Sequence, residues 1–176
     1  MASILVVDDE QSMREFLEIL LTKQGHAVST AADAGAAIAR AAQGDLDLVV
    51  TDLRLGRDSG LDVLRAVKST TPATEVVMVT AFATTENAIQ AMKAGAYDYV
   101  LKPFKVDEIL LVVEKALERR ALVAENRALR SRVARGTTVE EGIIGTSPAV
   151  EEVRRLVEKV APARTTILVT GESGTG

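Results

Sequence analysis

Residues 4–10 read Ile4-Leu5-Val6-Val7-Asp8-Asp9-Glu10, four apolar side chains running straight into three acids. An apolar run of that length without polar alternation is what a strand buried on both faces requires. The pattern recurs along the chain. Residues 27–30 are a weak second strand, 46–51 a third that ends at Asp52, 75–80 a fourth that ends at Thr80, and 97–101 a fifth that ends at Lys102-Pro103. Between them lie helical spacings. Met13, Phe16, Leu17, Leu20 and Leu21 fall at i, i+3, i+4, i+7 and i+8 and stop at Gly25. An Ala-rich stretch covers 34–42, Leu61, Val63, Leu64 and Val67 mark a third helix, and 84–93 a fourth, closed by Gly95.

Five strands, each followed by a helix, require crossover connections and therefore a parallel sheet covered on both faces. Length and element order suit an α/β doubly wound fold of the flavodoxin-like (βα)5 type with strand order 2-1-3-4-5. The composition agrees with a globular domain: 47% of residues are apolar and 26% charged, while aromatics make up only 3%, so the core must be aliphatic. The absence of Cys excludes a disulfide framework, a thiolate metal site and a Cys nucleophile, and a single His, His26, excludes a His-built metal cluster. His26 is expected at the surface. No apolar run reaches the roughly 18 residues of a membrane span and the start lacks a basic leader, so a cytoplasmic protein without membrane contact is expected.

After Pro103 the pattern changes. Residues 105 to about 134 contain neither Gly nor Pro and read as one long helix. Ile109, Leu110, Val113 and Leu117 form the stripe of a helix docked on a sheet. Beyond them Leu122, Asn126, Leu129 and Val133 fall at d, a, d and a of a heptad frame, as in a short parallel dimer seam with Asn126 facing its symmetry mate. Charge follows the same division: residues 1–104 hold nine basic and fourteen acidic side chains, residues 105–135 eight and five. A polar linker occupies 136–142. Val150, Val153, Leu156, Val157 and Val160 then line one helix face, and 165–170 read as a strand. The expected organisation is a domain at 1–118, a dimer-linker helix at 119–135, the linker, and at 143–176 the opening fragment of a second α/β domain.

In an open α/β sheet, ligands bind beyond the carboxyl ends of the strands. Asp8 and Asp9, Asp52, Thr80 and Lys102 all fall at such ends. Carboxylates converging there repel one another and call for a cation, and hard oxygen ligands suit Mg²⁺. A carboxylate so placed can attack phosphorus, with Lys102 and the Thr80 hydroxyl stabilising the transferred charge.

These residues resemble the receiver domain of two-component response regulators: Ile4-Leu5-Val6-Val7-Asp8-Asp9-Glu10, Asp52 with Gly60 eight positions on, Thr80-Ala81, and Tyr99-Val100-Leu101-Lys102-Pro103-Phe104. The resemblance implies that Asp52 is the phosphoacceptor, with Mg²⁺ held by Asp8, Asp9, Asp52 and the backbone carbonyl of Arg54. It implies further that Thr80 and Tyr99 are the switch pair, that Lys102 binds the phosphoryl group and that the bond to Pro103 is cis. Arg54 and Phe82 are expected to flank the phosphoryl group. Gly56 stands where many receivers have Pro, and Ser59 where many have Asp, which puts the rigidity of that loop in question.

Residues 143–176 are similar to the start of the AAA+ domain of NtrC-type activators, through Ile143-Ile144-Gly145-Thr146-Ser147-Pro148 and Val169-Thr170-Gly171-Glu172-Ser173-Gly174-Thr175-Gly176. Gly171, Glu172, Ser173, Gly174, Thr175 and Gly176 match the first six positions of a Walker A loop. The implied protein is a phosphorylation-controlled activator. Its partners would be a sensor histidine kinase, a second copy of itself, and, in the complete parent, ATP, DNA and RNA polymerase with the nitrogen-type sigma factor. With its ATP site broken off, this chain is expected neither to act as an ATPase nor to bind nucleic acid. The alternatives on the same fold are a receiver acting only as an interaction and dimer module, or a flavodoxin-like enzyme. The latter fits poorly, because a flavin-phosphate loop after the first strand would not carry Asp8, Asp9 and Glu10.

Overall fold

The computed structural model describes residues 1–81, 84–136, 145–162, 166–168 and 170, with the backbone alone for Arg127 and 131–136. It has two compact units, Met1–Asn126 and Arg127–Gly176. In the first, strands β1 (Ser3–Val7), β2 (Ala27–Ala31), β3 (Leu48–Thr51), β4 (Glu75–Thr80) and β5 (Asp98–Leu101) form an all-parallel sheet in the expected order 2-1-3-4-5. Helices α1 (Gln11–Lys23), α2 (Ala34–Ala41), α3 (Gly60–Thr70), α4 (Thr85–Lys93) and α5 (Val106–Gly136) provide the crossovers and the exit.

The period-2 alternation of a strand divides the apolar runs between two cores. Leu5, Val7, Val49, Val76 and Met78 pack with Ala37 and Ala41 of α2, Leu64 and Val67 of α3, and Ala91 of α4. Ile4, Val6, Leu48, Val50, Val77 and Val79 face the other way, onto Leu17 and Leu21 of α1 and Ile109, Val113 and Ala116 of α5. Helix starts are set by side-chain caps, which satisfy amides that have no intrahelical partner. Asp33 accepts from the Ala36 N–H at 2.8 Å, Ser59 from Leu61 at 3.2 Å and Thr84 from Asn87 at 3.2 Å.

Several local expectations are corrected. The third strand begins at Leu48, not at residue 46. The Leu46 carbonyl is taken by the Thr74 hydroxyl at 2.8 Å, and the Asp47 N–H binds the Ser3 carbonyl at 2.8 Å, so both residues lead into the ladder. Arg54–Leu55 and Asp58–Ser59 form a small antiparallel ribbon that no periodicity announced. Its two-residue loop has Gly56 at φ +63°. This is the geometry of a hairpin turn with Gly first, and a Pro, locked near −65°, could not adopt it. The Gly that replaces Pro here therefore closes a tight turn instead of loosening the loop. His26 is half-buried, with Nδ1 shielded from solvent and without a partner among the described residues. Burial lowers its pKa, assisted by the nearby N-terminal charge and opposed by Asp47.

In the second unit α6 (Pro148–Val160) is capped by Ser147, whose hydroxyl accepts from the Val150 N–H at 3.4 Å. Thr166, Ile167, Leu168 and Thr170 are not in a strand. A strand exists only within a ladder, and no described segment pairs with them, leaving Leu168 86% exposed. Residues 171–176 and Phe82, singled out above, lie outside the described residues, as does the side chain of Val133. Among the described residues no helix is long and apolar enough to cross a membrane.

Two neighbours on α5 test this core assignment. Ile109 is fully buried and Leu111 is 51% exposed. Ile109→Ala is expected to cost about 2–5 kcal/mol in urea unfolding, and Leu111→Ala no more than about 0.5 kcal/mol. Equal losses would mean that α5 docks by another face.

Candidate functional site

Asp8, Asp52 and Lys102 each follow the last residue of a strand, and each backbone N–H extends the ladder by one bond. The Asp8 N–H donates to the Ala31 carbonyl at 3.2 Å, Asp52 to Val7 at 2.9 Å and Lys102 to Thr80 at 2.9 Å. The three residues are thereby held at one level of the sheet edge. Asp8 is 2% and Asp52 8% exposed, and buried carboxylates need partners. The Lys102 side chain, coming from the edge strand, passes over β4 and places its ammonium 2.6 Å from Asp8 Oδ2 and 2.7 Å from Asp52 Oδ2. The second oxygen of each acid is occupied by backbone: Asp8 Oδ1 accepts the Glu10 N–H at 2.9 Å and Asp52 Oδ1 the Arg54 N–H at 3.0 Å. Burial pulls the Lys102 pKa down, but the hydrogen bonds and charges of Asp52 and Asp8 outweigh it, and the net shift is upward from 10.5. The Lys102-Pro103 peptide bond is cis.

Thr80 is fully buried at the end of β4. In the β4–β5 register Thr80 faces Leu101 and Met78 faces Tyr99, which puts the side chains of Thr80 and Tyr99 on the same face of the sheet. Tyr99 is half-buried against the Met78 core, and its hydroxyl pKa is raised by burial and then by the charge of Asp52. Asp9, by contrast, is exposed. Among the described residues no three acidic or histidine side chains are gathered closely enough to share a metal ion. Asp8 and Asp52 are the two that converge. Mg²⁺ takes one or two carboxylates and fills its remaining positions with water and phosphate oxygen, so this all-oxygen set fits it. Two acids facing one ammonium also leave a negative charge to be neutralised.

Three supports were not foreseen from the sequence. Arg14 donates to the carbonyls of Asp8 at 2.7 Å and Asp9 at 3.0 Å, which fixes the acidic loop from α1. It is the first basic residue of the chain, placed one helical turn after the acids, and that position was its only signal. The Thr51 hydroxyl donates to the Asp52 carbonyl at 3.0 Å. Gly60 packs directly on the same carbonyl: a Cβ there would lie 1.9 Å from the Asp52 oxygen. Only a residue without a side chain fits.

The response regulator receiver domain profile matches residues 4–114, and the sigma-54 interaction domain profile matches residues 143–176. The transcriptional regulatory protein ZraR of Salmonella typhimurium is 36% identical over 173 residues, which are 98% of this chain and 38% of the relative. The structure of NtrX from Brucella abortus superposes with a TM-score of 0.70 at 40% identity, covering 99% of this chain and 38% of that one. A receiver domain protein from Clostridium thermocellum gives 0.66 at 33% identity, covering 70% of this chain and 99% of its own. The chain thus spans under two-fifths of the length of the curated relatives it matches.

The ion pairs imply a measurable pH dependence. Because the folded-state pKa of Lys102 is raised, the stability they contribute is complete below 10.5 and is lost as the pH rises above it. Lys102→Met leaves two buried carboxylates without their cation and is expected to cost about 1–3 kcal/mol at pH 7. A variant as stable as wild type at that pH would contradict the assignment.

Proposed function

The chain belongs to the response regulator receiver family, and on that premise we propose that Asp52 is its phosphoacceptor. Residues 1–118 would form the input domain of an NtrC-type, two-component transcription activator. One observation supports this above the rest: Asp52 is buried, fixed through its backbone, and shares a single ammonium with Asp8. A carboxylate oxygen of Asp52 attacks the phosphorus of a sensor kinase phosphohistidine. A P–O bond forms as the P–N bond breaks, and the imidazole leaves with the electron pair and takes up a proton.

The new group brings close to two negative charges to a position where a single carboxylate charge stood. Lys102, already 2.7 Å from Asp52, pairs with the phosphoryl oxygens. The Thr80 hydroxyl turns to donate to the same group, and Tyr99, on the same sheet face, follows it inward; these two are the switch pair. Asp8, Asp52 and the Arg54 carbonyl would hold Mg²⁺, with Asp9 turning in from its exposed position to join them. Bound there, the ion offsets the negative charge of the approaching donor and of the transferred group.

The exposed Leu122, Asn126 and Leu129 on an unbroken α5, with Val133, make a homodimer seam. The order of the two matched profiles supports an output module downstream. In the complete parent that module would bind ATP through the loop begun at residues 171–176 and act, in the cytoplasm, on RNA polymerase carrying the nitrogen-type sigma factor at DNA. For this chain alone we assign no ATP hydrolysis, nucleic-acid binding or membrane contact.

The test is intact-mass analysis after incubation with a small acyl phosphate. Wild type with Mg²⁺ is expected to gain one phosphoryl group. Wild type with chelator, and Asp52→Asn with Mg²⁺, are expected to gain none. Equal labelling of wild type and Asp52→Asn would refute the assignment.

A further inference from the structure

At the sheet edge opposite the acid site, α5 passes the strand starts and presents two consecutive arginines. The Arg120 guanidinium pairs with Asp47, the residue leading into β3. Asp47 is itself tied down: its Oδ2 accepts the Ser3 N–H at 2.7 Å, and its carbonyl accepts the Glu75 N–H at 3.1 Å. Arg119 Nε lies 3.7 Å from Glu75 Oε1, and its guanidinium stands 5.6 Å from the centre of the Tyr97 ring. Glu75, the buried first residue of β4, holds Lys68 of α3 through its other oxygen at 3.2 Å, and that ammonium also donates to the Thr74 carbonyl at 2.7 Å.

A lone surface ion pair contributes little. Here the two arginines enter a network anchored on a buried glutamate and on the starts of β1, β3 and β4. Docking of α5 does not need it, because Ile109, Val113 and Ala116 already bury the helix three residues or more before Arg119. The network acts just ahead of Leu122 and Asn126, the first residues of the seam. Both of its carboxylates also share a strand run with a site residue: Asp47 and Asp52 bracket β3, and Glu75 and Thr80 bound β4. Each separation is five residues, about 17 Å of strand.

We propose that Arg119 and Arg120 are positioning residues that fix the linker helix to the starts of β3 and β4, so that phosphorylation at the far ends of those strands reaches the dimer seam. The proposal rests on the receiver reading above. It requires the phosphorylated and unphosphorylated states to differ in how the strand starts hold the helix, since coupling exists only where both sites bias one equilibrium.

The test is sedimentation equilibrium of the full chain, before and after phosphorylation with a small acyl phosphate and Mg²⁺, with labelling followed by mass. Wild type is expected to change its dimer Kd by about fivefold or more on phosphorylation. Arg119→Lys/Arg120→Lys keeps both charges and is expected to retain most of that change. Arg119→Gln/Arg120→Gln is expected to take up phosphate as wild type does, with a Kd that moves less than about twofold. A Gln pair that keeps the full change overturns the proposal, as does a phosphorylated wild type whose Kd does not move. A wild type that takes no phosphate at Asp52 overturns the receiver reading itself, and this proposal with it. Hydrogen exchange on wild type supplies a test that needs no variant. Amides of residues 117–126 and those at Asp47 and Glu75 are expected to change protection together on phosphorylation; changes confined to the acid edge would overturn the proposal.

Discussion

Two buried carboxylates converge on one ammonium at the carboxyl edge of the sheet, and the features that build the site follow from that meeting. Charges this well shielded are tolerated only with partners, so Asp8 and Asp52 must be brought to Lys102 across three strands with little slack. The ladder does this by continuing one residue past β1, β3 and β5. Within the strands below it charge stands only at the first positions, Glu75 in β4 and Asp98 in β5, which lets both faces be covered by helices and leaves the polar groups at the two rims. Around the carboxyl rim, Arg14 fixes the acidic loop, Thr51 and Gly60 fix the Asp52 backbone, and the Gly56 turn folds the following ribbon back toward α3.

The fold was largely legible because its signals are local and redundant. Four strong apolar runs, each ending at a chemically distinctive residue, specify parallel strands and their carboxyl edge together. Even the weak run at 27–30 pairs with β1 along its length. What was not legible depends on tertiary contact. Nothing local distinguishes Leu46 and Asp47 from strand residues until Ser3 and Thr74 claim their backbone groups. The short ribbon after Asp52 is too brief for periodicity. The apolar character of Ile167 and Leu168 suggested a strand, but a strand needs a neighbour to pair with.

The candidate site divides in the same way. Asp8, Asp52 and Lys102 could be read from their positions at strand ends, and the structure brings them within hydrogen-bond reach. Asp9 has the same residue type one position later and is exposed, because the chain bends there once β1 has ended at Val7. The roles of Arg14 and Gly60 were not legible, since their work is done on carbonyl oxygens that no side-chain pattern reveals. The two edges of the sheet carry different duties: the carboxyl edge gathers the acids, and the amino edge holds the helix that leads onward.

If the proposed role is right, Asp52, and no other acid, becomes an acyl phosphate. Borohydride reduction converts an aspartyl phosphate to homoserine and leaves free carboxylates untouched, so peptide mapping after phosphorylation and reduction locates the acceptor. Homoserine is expected at position 52 alone. Homoserine at position 8 or 9, or none in a chain that carries phosphate, would contradict it.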